Sequence, residues 1–493
     1  MISDNLVIWQ VVLPLISAPL CALTRRSLPA WTIALAVSWL SFAISLALLF
    51  KVVDGGAISY ELGGWAAPWG IEYRVDLLSA FVLVIVSAIA AVSAVYARLS
   101  VAAEIPEDRI YLFYTMYLLC LAGLLGITIT GDVFNLFVFL EISSLSSYVL
   151  VSMGRDRRAL TASYRYLIMG TIGATFYVIG VGLMFMMTGT LNMADLATII
   201  PTVADTRTIL VALAFLTVGL SLKLALFPLH LWLPNAYTFA PSTVTAFIAA
   251  TSTKVAVYAL IRIYFTVFGS VNVTETMGVR EIMMGLALLA MFVASFVAIF
   301  QNNVKRMLAY SSLAQIGYMI LGISFATVTG LTGSIVHLFN HAMMKGALFM
   351  AVGAIAMRVG SVRLDDLGGI GRAMPLTMAA FVVAGLSLIG VPLTVGFVSK
   401  WVLIQAALEK GWWPLAVLIL LSSLLAVIYV WRVVEVAYFR PAPEGRPAVS
   451  EAPLSMLIPM WLLAGAAVWF GIDATATLDI ARGAAQSLLG AGP

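Results

Sequence analysis

Hydrophobic runs of 18 or more residues recur from one end of the chain to the other, separated by short polar breaks that carry most of its charges. Each run is long enough to cross a hydrocarbon core of about 30 Å. Read against the charge clusters, the pattern predicts an all-α integral membrane protein of about 14 transmembrane helices. The first seven lie near 6–23, 31–50, 77–97, 110–129, 132–153, 164–189 and 207–232. The second seven lie near 240–266, 282–301, 306–326, 329–357, 375–408, 413–438 and 454–471. The longest polar stretches, 51–76 and 440–453, are too short for a soluble domain, so residues 1–493 form one membrane domain. The first of them holds Gly63-Gly64-Trp65 and Pro68-Trp69-Gly70 and reads as an external hairpin whose tryptophans sit at headgroup level.

Charge sets the orientation. Arg155, Arg157, Arg158 and Arg165 cluster after the fifth span, which makes that loop cytoplasmic under the positive-inside rule. Alternation then places 16 of the 27 Lys and Arg residues inside and 7 outside, with four lysines within spans. Both termini are expected outside the cytoplasm, in the cell (inner) membrane. The first apolar run has no basic residue before it, while Arg25 and Arg26 follow it, which fits a retained helix better than a cleaved signal peptide.

Composition agrees: 62% of residues are hydrophobic and 10% charged, where a soluble domain carries about 25% charged residues. The net charge of +4 follows from the inside bias and calls for no nucleic acid. Cys21 and Cys120 both fall in spans, so no disulfide framework or CxxC metal site is available. No Gly-rich nucleotide fingerprint and no cysteine cluster appear, so no cofactor is expected.

Against this background a set of ionisable residues stands out. Lys223, Lys254, Lys345, Lys400, His230, His337, His341 and Glu141 all lie within spans. A charge at mid-bilayer costs roughly 3 kcal/mol, so the four lysines and the glutamate alone cost on the order of 15 kcal/mol if charged. Helix glue and snorkelling account for one such residue more readily than for eight. Desolvation disfavours an ammonium and a nearby carboxylate favours it, so lysine beside glutamate can hold or release a proton. Glu141 is the carboxylate deep in the spans and the natural partner of such a lysine. His337, His341 and Lys345 follow at i, i+4 and i+8, which lines them along one helix face as a relay. A zinc site is the rival reading of the histidines, but no third soft ligand supports it.

Two spans are interrupted. Pro228 lies in Lys223-Leu-Ala-Leu-Phe-Pro-Leu-His230, and Pro392 lies in Gly390-Val-Pro, ahead of Gly396-Phe397 and Lys400. A proline inside a helix removes one backbone bond and clashes with the preceding turn. Broken helices carrying ionisable groups are what transporter repeats place around midplane sites. The breaks are five spans apart, and an odd number of spans reverses orientation. Two inverted five-helix repeats are therefore expected, at approximately 110–268 and 282–438.

Four motifs carry a family resemblance: Gly131 through Glu141 (GDVFNLFVFLE), opened by Asp132; Lys223 through Pro234 (KLALFPLHLWLP); Lys305 through Ser312 (KRMLAYSS); and His337 through Phe349 (HLFNHAMMKGALF). With Gly396-Phe397 before Lys400, the chain resembles the antiporter-like subunits shared by Mrp cation/proton antiporters and respiratory complex I. Within that family it looks most like the D-type component of the Mrp antiporter. The resemblance implies that Glu141 and Lys223 form a gating pair and Lys254 a connecting lysine. His337 and His341 would be a relay, and Lys400 the terminal lysine. Asn235, Tyr237 and Asn303 depart from residues found in many relatives, at helix ends rather than in the central row. The implied function is proton translocation within a multisubunit Na+/proton antiporter, with other membrane subunits and the bilayer as partners. The alternative is a non-redox, proton-pumping subunit of an NADH:quinone oxidoreductase or membrane-bound hydrogenase.

Overall fold

A chain surrounded by hydrocarbon must satisfy its own backbone hydrogen bonds, and helices do so within one segment. The computed structural model, which describes residues 5–270, 273 and 278–490, is accordingly almost all helix. The first group comprises α1 (Leu6–Thr24), α2 (Ser27–Gly55), α3 (Leu77–Glu104), α4 (Ile110–Ile129), α5 (Val133–Ser152) and α6 (Arg158–Thr188). Next come α7 (Met193–Val203), α8 (Arg207–Leu224), α9 (Trp232–Phe239), α10 (Ser242–Ala250) and α11 (Ser252–Ile261). The last stretch holds α12 (Val279–Ile299), α13 (Val304–Phe325), α14 (Val328–Val359), α15 (Ile370–Ala373), α16 (Pro375–Ile389), α17 (Val395–Glu409), α18 (Trp413–Phe439), α19 (Leu454–Ile472) and α20 (Thr475–Leu489). Among the described residues, thirteen helical stretches are long and apolar enough to cross a membrane, with α10 and α11 counted as one. The pair α16 and α17 supplies a fourteenth crossing in two pieces, in line with the sequence count.

The expected hairpin at 51–76 is real. Strands β1 (Ile58–Glu61) and β2 (Glu72–Val75) pair antiparallel, with Ile58 opposite Val75 and Glu61 opposite Glu72. Its tryptophans face outward, Trp69 almost fully exposed. From this hairpin the chain alternates sides, so the starts of α3, α5 and α14 lie on the hairpin side and the starts of α4, α6 and α13 on the opposite side. Short backbone bridges mark both ends, Tyr73 to Thr130 and Asp132 to Asn192 on the first and Asn303 to Arg363 on the second.

Burial divides the bundle. The α10–α11 span and α13 are almost wholly enclosed, and α14 packs against α3, α10, α13, α16, α17 and α19. The faces of α1, α2, α6, α12, α18 and α19 are studded with exposed apolar side chains such as Ile16, Trp39, Leu289, Leu424 and Trp469. In a membrane this is the lipid-facing belt, and the polar side chains belong to the interior.

Candidate functional site

The seventh span ends earlier than hydropathy suggests. α8 stops at Leu224 and Ala225 turns left-handed at φ 61°, so Pro228 and His230 lie in an irregular connection rather than in a helix. The physical reason is the proline's missing N–H, which leaves the Leu224 carbonyl four residues back without a partner. The Trp232 indole donates to the Leu222 carbonyl, which also accepts from the Ala225 N–H, at 3.0 Å, and its ring stacks on Tyr166 with centroids 4.0 Å apart.

Lys223 sits in the last turn of α8, just ahead of the break. Its Nζ donates to Glu141 Oε1 at 3.1 Å and to Ser144 Oγ at 2.8 Å, both on α5. The lysine side chain is 6% exposed and the glutamate side chain 24%, so the ammonium is buried while the carboxylate is partly open at the outer face of α5, beside the exposed Val138 and Leu145. The spacing of 141 and 144 puts carboxylate and hydroxyl on one face of α5, within reach of a single ammonium. A cavity of about 20 Å³ extends from Lys223 past Ser144, Ser147 and Tyr166 to Ser252 and Val255. One water needs about 10–15 Å³ of such volume.

The eighth span contains a break that hydropathy does not show. The expected helix 240–266 divides into α10 and α11 at Thr251, whose backbone leaves the helical region at φ −124°, ψ −61°. Thr251 turns its hydroxyl onto the Phe247 carbonyl at 2.7 Å, a local bond that competes with the helical ladder. Lys254 is fully buried, and its Nζ donates to the Ala249 carbonyl exposed by this break.

On α14 the expected stripe is present. The rings of His337 and His341 lie 6.0 Å apart and nearly parallel, at 7°. His337 Nδ1 is 2.8 Å from Ser399 Oγ, while His337 Nε2 and both nitrogens of His341 are buried with no protein partner. Lys345, further along, turns to α13 and donates to Leu308 O at 2.8 Å and to Ser311 Oγ. Among the described residues no group of three or more His, Cys, Asp or Glu side chains gathers around a metal-sized site.

The twelfth span, expected over 375–408 with an interruption at Pro392, is two helices. Gly390 adopts φ 94°, α16 ends, and α17 begins at Val395. Pro392 has no N–H to offer Leu388, and Lys400 takes its place: Nζ donates to Leu388 O at 3.0 Å and Ile389 O at 2.8 Å. The same ammonium lies 5.0 Å from the ring of Tyr318, which in turn lies 5.8 Å from His337. The crossing is tight at Gly396, where an added Cβ would fall 1.8 Å from the Ser387 carbonyl oxygen. Gly396→Ala is therefore expected to cut the amount of folded protein in membranes severalfold, read by immunoblot of membranes and by size-exclusion chromatography. A normal yield with a normal elution profile would contradict the packing described.

The structure joins Glu141 directly to Lys223. It sets the two histidines in register and links His337, through Ser399, to the helix that carries Lys400. No direct bond joins Lys254 to Lys223, to the histidines or to Lys345 among the hydrogen bonds of the described residues. His230 lies apart, stacked on Phe227 at 5.2 Å with Nδ1 unpartnered. Asp132 is a helix cap, accepting from the Asn135 N–H at 2.7 Å at the hairpin-side end of α5. Ser144, Ser311 and Ser399 as hydrogen-bond partners, and Ser252 as a hydroxyl lining the small cavity, are features that charge patterning does not reveal. The run Ser143-Ser144-Leu-Ser146-Ser147 in an apolar helix was the available signal for the first.

Residues 130–426 match the family model described as NADH:quinone oxidoreductase/Mrp antiporter, transmembrane. The chain belongs to the NADH:quinone oxidoreductase/Mrp antiporter family. Members of this family that it resembles along nearly their whole length carry different names. One is an NADH-quinone oxidoreductase subunit N of Desulforudis audaxviator, 42% identical, with 95% of this chain and 96% of that protein covered. Another is the D component of a Na(+)/H(+) antiporter of Bacillus subtilis, 30% identical, with 99% and 97% covered. Among solved structures, a chain of the Mrp complex from Dietzia sp. DQ12-45-1b superposes with a TM-score of 0.90. It is 28% identical, with 99% of this chain and 98% of that one covered. The family fold makes this a multi-pass integral membrane protein of the antiporter-like kind.

Proposed function

We propose that the chain is the proton-translocating subunit of a multisubunit monovalent cation (Na+)/proton antiporter of the Mrp type, seated in the cell membrane beside other membrane subunits. The observation that carries this reading is the Lys223–Glu141 contact of 3.1 Å, with Ser144 as a second acceptor for the same ammonium. A carboxylate that moves away withdraws the countercharge that stabilises the ammonium, and the proton then leaves for the next base. The small cavity between Lys223 and Ser252 has room for one water on the way to Lys254. Beyond it, protons pass to the His337/His341 stripe, with Lys345 at its far end, and then to Lys400. The breaks at Ala225 and Gly390, five crossings apart, support a reading of 110–268 and 282–438 as two inverted repeats, each supplying half of the path. The inside bias of basic residues supports termini on the non-cytoplasmic side.

Lys254→Leu tests the path at its middle. In the assembled complex reconstituted into vesicles, driven proton flux is expected to fall at least about a hundredfold, the usual scale for losing a positioned proton-transfer group. Assembly should be unchanged by size-exclusion chromatography. Wild-type flux in this variant would refute the path. A redox-driven parent complex is the second reading, favoured by the 42% identity to a protein named as an oxidoreductase subunit. Purification in mild detergent separates the two: co-purifying small antiporter subunits support the first reading, and quinone- or hydrogenase-type subunits the second.

A further inference from the structure

Lys254 shares its helical face with two residues that the row above does not use. Tyr258 and Arg262 follow at i+4 and i+8, which carries the stripe about 12 Å toward the hairpin side at 1.5 Å per residue. There the α-helix widens into a π-helical turn over Arg262–Val267, a distortion that often accompanies functional positions. Arg262 is buried in a fully connected polar cluster. Its Nη2 pairs with Asp76 and donates to Ser79 Oγ at 2.8 Å, while its Nε donates to Tyr258 OH at 2.9 Å. The Tyr258 hydroxyl donates to the Thr128 carbonyl at 2.8 Å, and the guanidinium rests 5.1 Å from the centre of the Tyr258 ring. Burial pushes the Asp76 carboxyl up, but the adjacent guanidinium outweighs it and holds the group below the usual carboxylate range.

Beyond this cluster opens a cavity of about 320 Å³, whose lining combines Glu72, Arg74, Asp76 and Arg262 with apolar side chains such as Met193 and Phe265. It is far larger than the space between Lys223 and Ser252, and its charged lining can hold ordered water. The Asp76–Arg262 pair thus lies between a buried lysine on one side and a chamber large enough for water on the other. A fixed positive charge at such a constriction repels a proton, as arginine does in other narrow membrane passages. Asp76 also caps α3 by accepting from the Ser79 N–H at 3.0 Å, so the carboxylate is anchored and the long arginine is the part that can move.

We propose that the Asp76–Arg262 pair is a gate, closed as it stands, between the Lys254 branch of the proton path and the hairpin-side cavity, and that it opens when the guanidinium swings off the carboxylate into that cavity. Tyr258, one helical turn beyond Lys254, loses its Arg262 bond in the same movement and is then free to accept a proton relayed by water from the lysine, whose own ammonium turns back to the Ala249 carbonyl. The gate rests on the proton-path reading and adds a route to one side of the membrane for its central lysine.

The test is passive leak. The assembled complex is reconstituted into vesicles with a pH gradient and no driving cation or electron donor, and proton entry is followed with a trapped pH dye. Arg262→Gln removes the fixed charge and is expected to leak at least about tenfold faster than wild type, the rate factor given by 1.4 kcal/mol off a barrier. Asp76→Asn keeps the helix cap, frees the arginine and is expected to leak as well. Arg262→Lys retains a positive partner and should stay tight. Adding Lys254→Leu to Arg262→Gln should abolish the leak, because the route runs through that lysine. A leak that persists in the double variant marks damaged packing and overturns the gate, as does a wild-type seal in Arg262→Gln. Should Arg262→Gln fail to assemble, the charge-swapped pair Asp76→Arg with Arg262→Asp is the deciding variant: an assembled, tight protein supports the gate and a leaky one refutes it. The parent reading fails separately, by wild-type driven flux in Lys254→Leu. If that flux is lost while Arg262→Gln stays sealed, only the gate is wrong.

Discussion

Lys223→Ala lowers driven proton flux at least about a hundredfold while leaving the protein folded, and Glu141→Ala does the same to flux at a greater cost in stability. The flux estimate follows the scale for removing a positioned proton donor. The difference in stability follows from the environment of the pair, in which the lysine side chain is 6% exposed and the carboxylate 24%. Removing the lysine leaves a carboxylate that is only partly enclosed by the protein. Removing the carboxylate leaves a buried ammonium with Ser144 as its remaining acceptor, and stranding one member of a buried pair costs about 3 kcal/mol. The double variant Glu141→Ala/Lys223→Ala should regain most of that stability and none of the flux. Thermal unfolding in detergent and vesicle flux, measured on all three variants, check both halves. Wild-type flux in either single variant would remove the pair from the path.

Lys400→Leu is expected to fail in two ways at once. The ammonium satisfies the carbonyls of Leu388 and Ile389 at the break between α16 and α17, where Pro392 cannot. A leucine leaves both acceptors unpaired in an apolar setting, at about 1–3 kcal/mol for each buried group. Melting of the purified complex should therefore drop by several degrees, on the scale of about 2–4 °C for each kcal/mol in a domain of 150–250 residues and less in a larger one. Driven flux should fall with it, because the last base of the row is gone. Loss of flux with no change in melting would mean that water already serves those carbonyls. A drop in melting with intact flux would make Lys400 a structural strut.

Most of the helices were legible because hydrocarbon leaves a backbone so few options, and a run of 20 apolar residues has little else to become. α7 and α20 escaped notice for the converse reason. They are short and two-faced, α20 burying Thr477, Ala481, Ala484 and Ala485 while Asp479 and Arg482 stay outside the core, so no window through them is uniformly apolar. The breaks at Ala225 and Gly390 were legible to within three residues. Pro228 and Pro392 announce them, but the bond each proline deletes belongs to the carbonyl four residues earlier, so the helix ends upstream of its cause. The break at Thr251 has no proline. Its signal was the run Thr251-Ser252-Thr253, whose hydroxyls bond to the local backbone, and such runs are common in helices that stay whole.

The ionisable row could be identified from charge alone, since Lys223, Lys254, His337, His341 and Lys400 are costly wherever they point in a bilayer. Their partners could not. That Lys400 meets Leu388 and Ile389, or that Lys345 meets Ser311 on α13, depends on how helices distant in sequence cross. The Arg262–Asp76 cluster joins residues 186 positions apart, and on hydropathy Arg262 reads as one more basic residue at the outer end of a span.

The three interruptions share an electrostatic consequence. Each ends a half-helix inside the protein, and a helix C-terminus carries about half a negative elementary charge in its unpaired carbonyls. Lys223 occupies the last turn of α8, Lys254 donates to the next-to-last residue of α10, and Lys400 donates to the last two residues of α16. Three macrodipole ends together supply about one and a half negative charges, which with the Glu141 carboxylate nearly balance three ammonium groups. One acidic side chain can therefore suffice for three lysines, because the backbone provides the rest of the countercharge. That backbone share does not titrate, so it stays in place whichever lysine holds the proton.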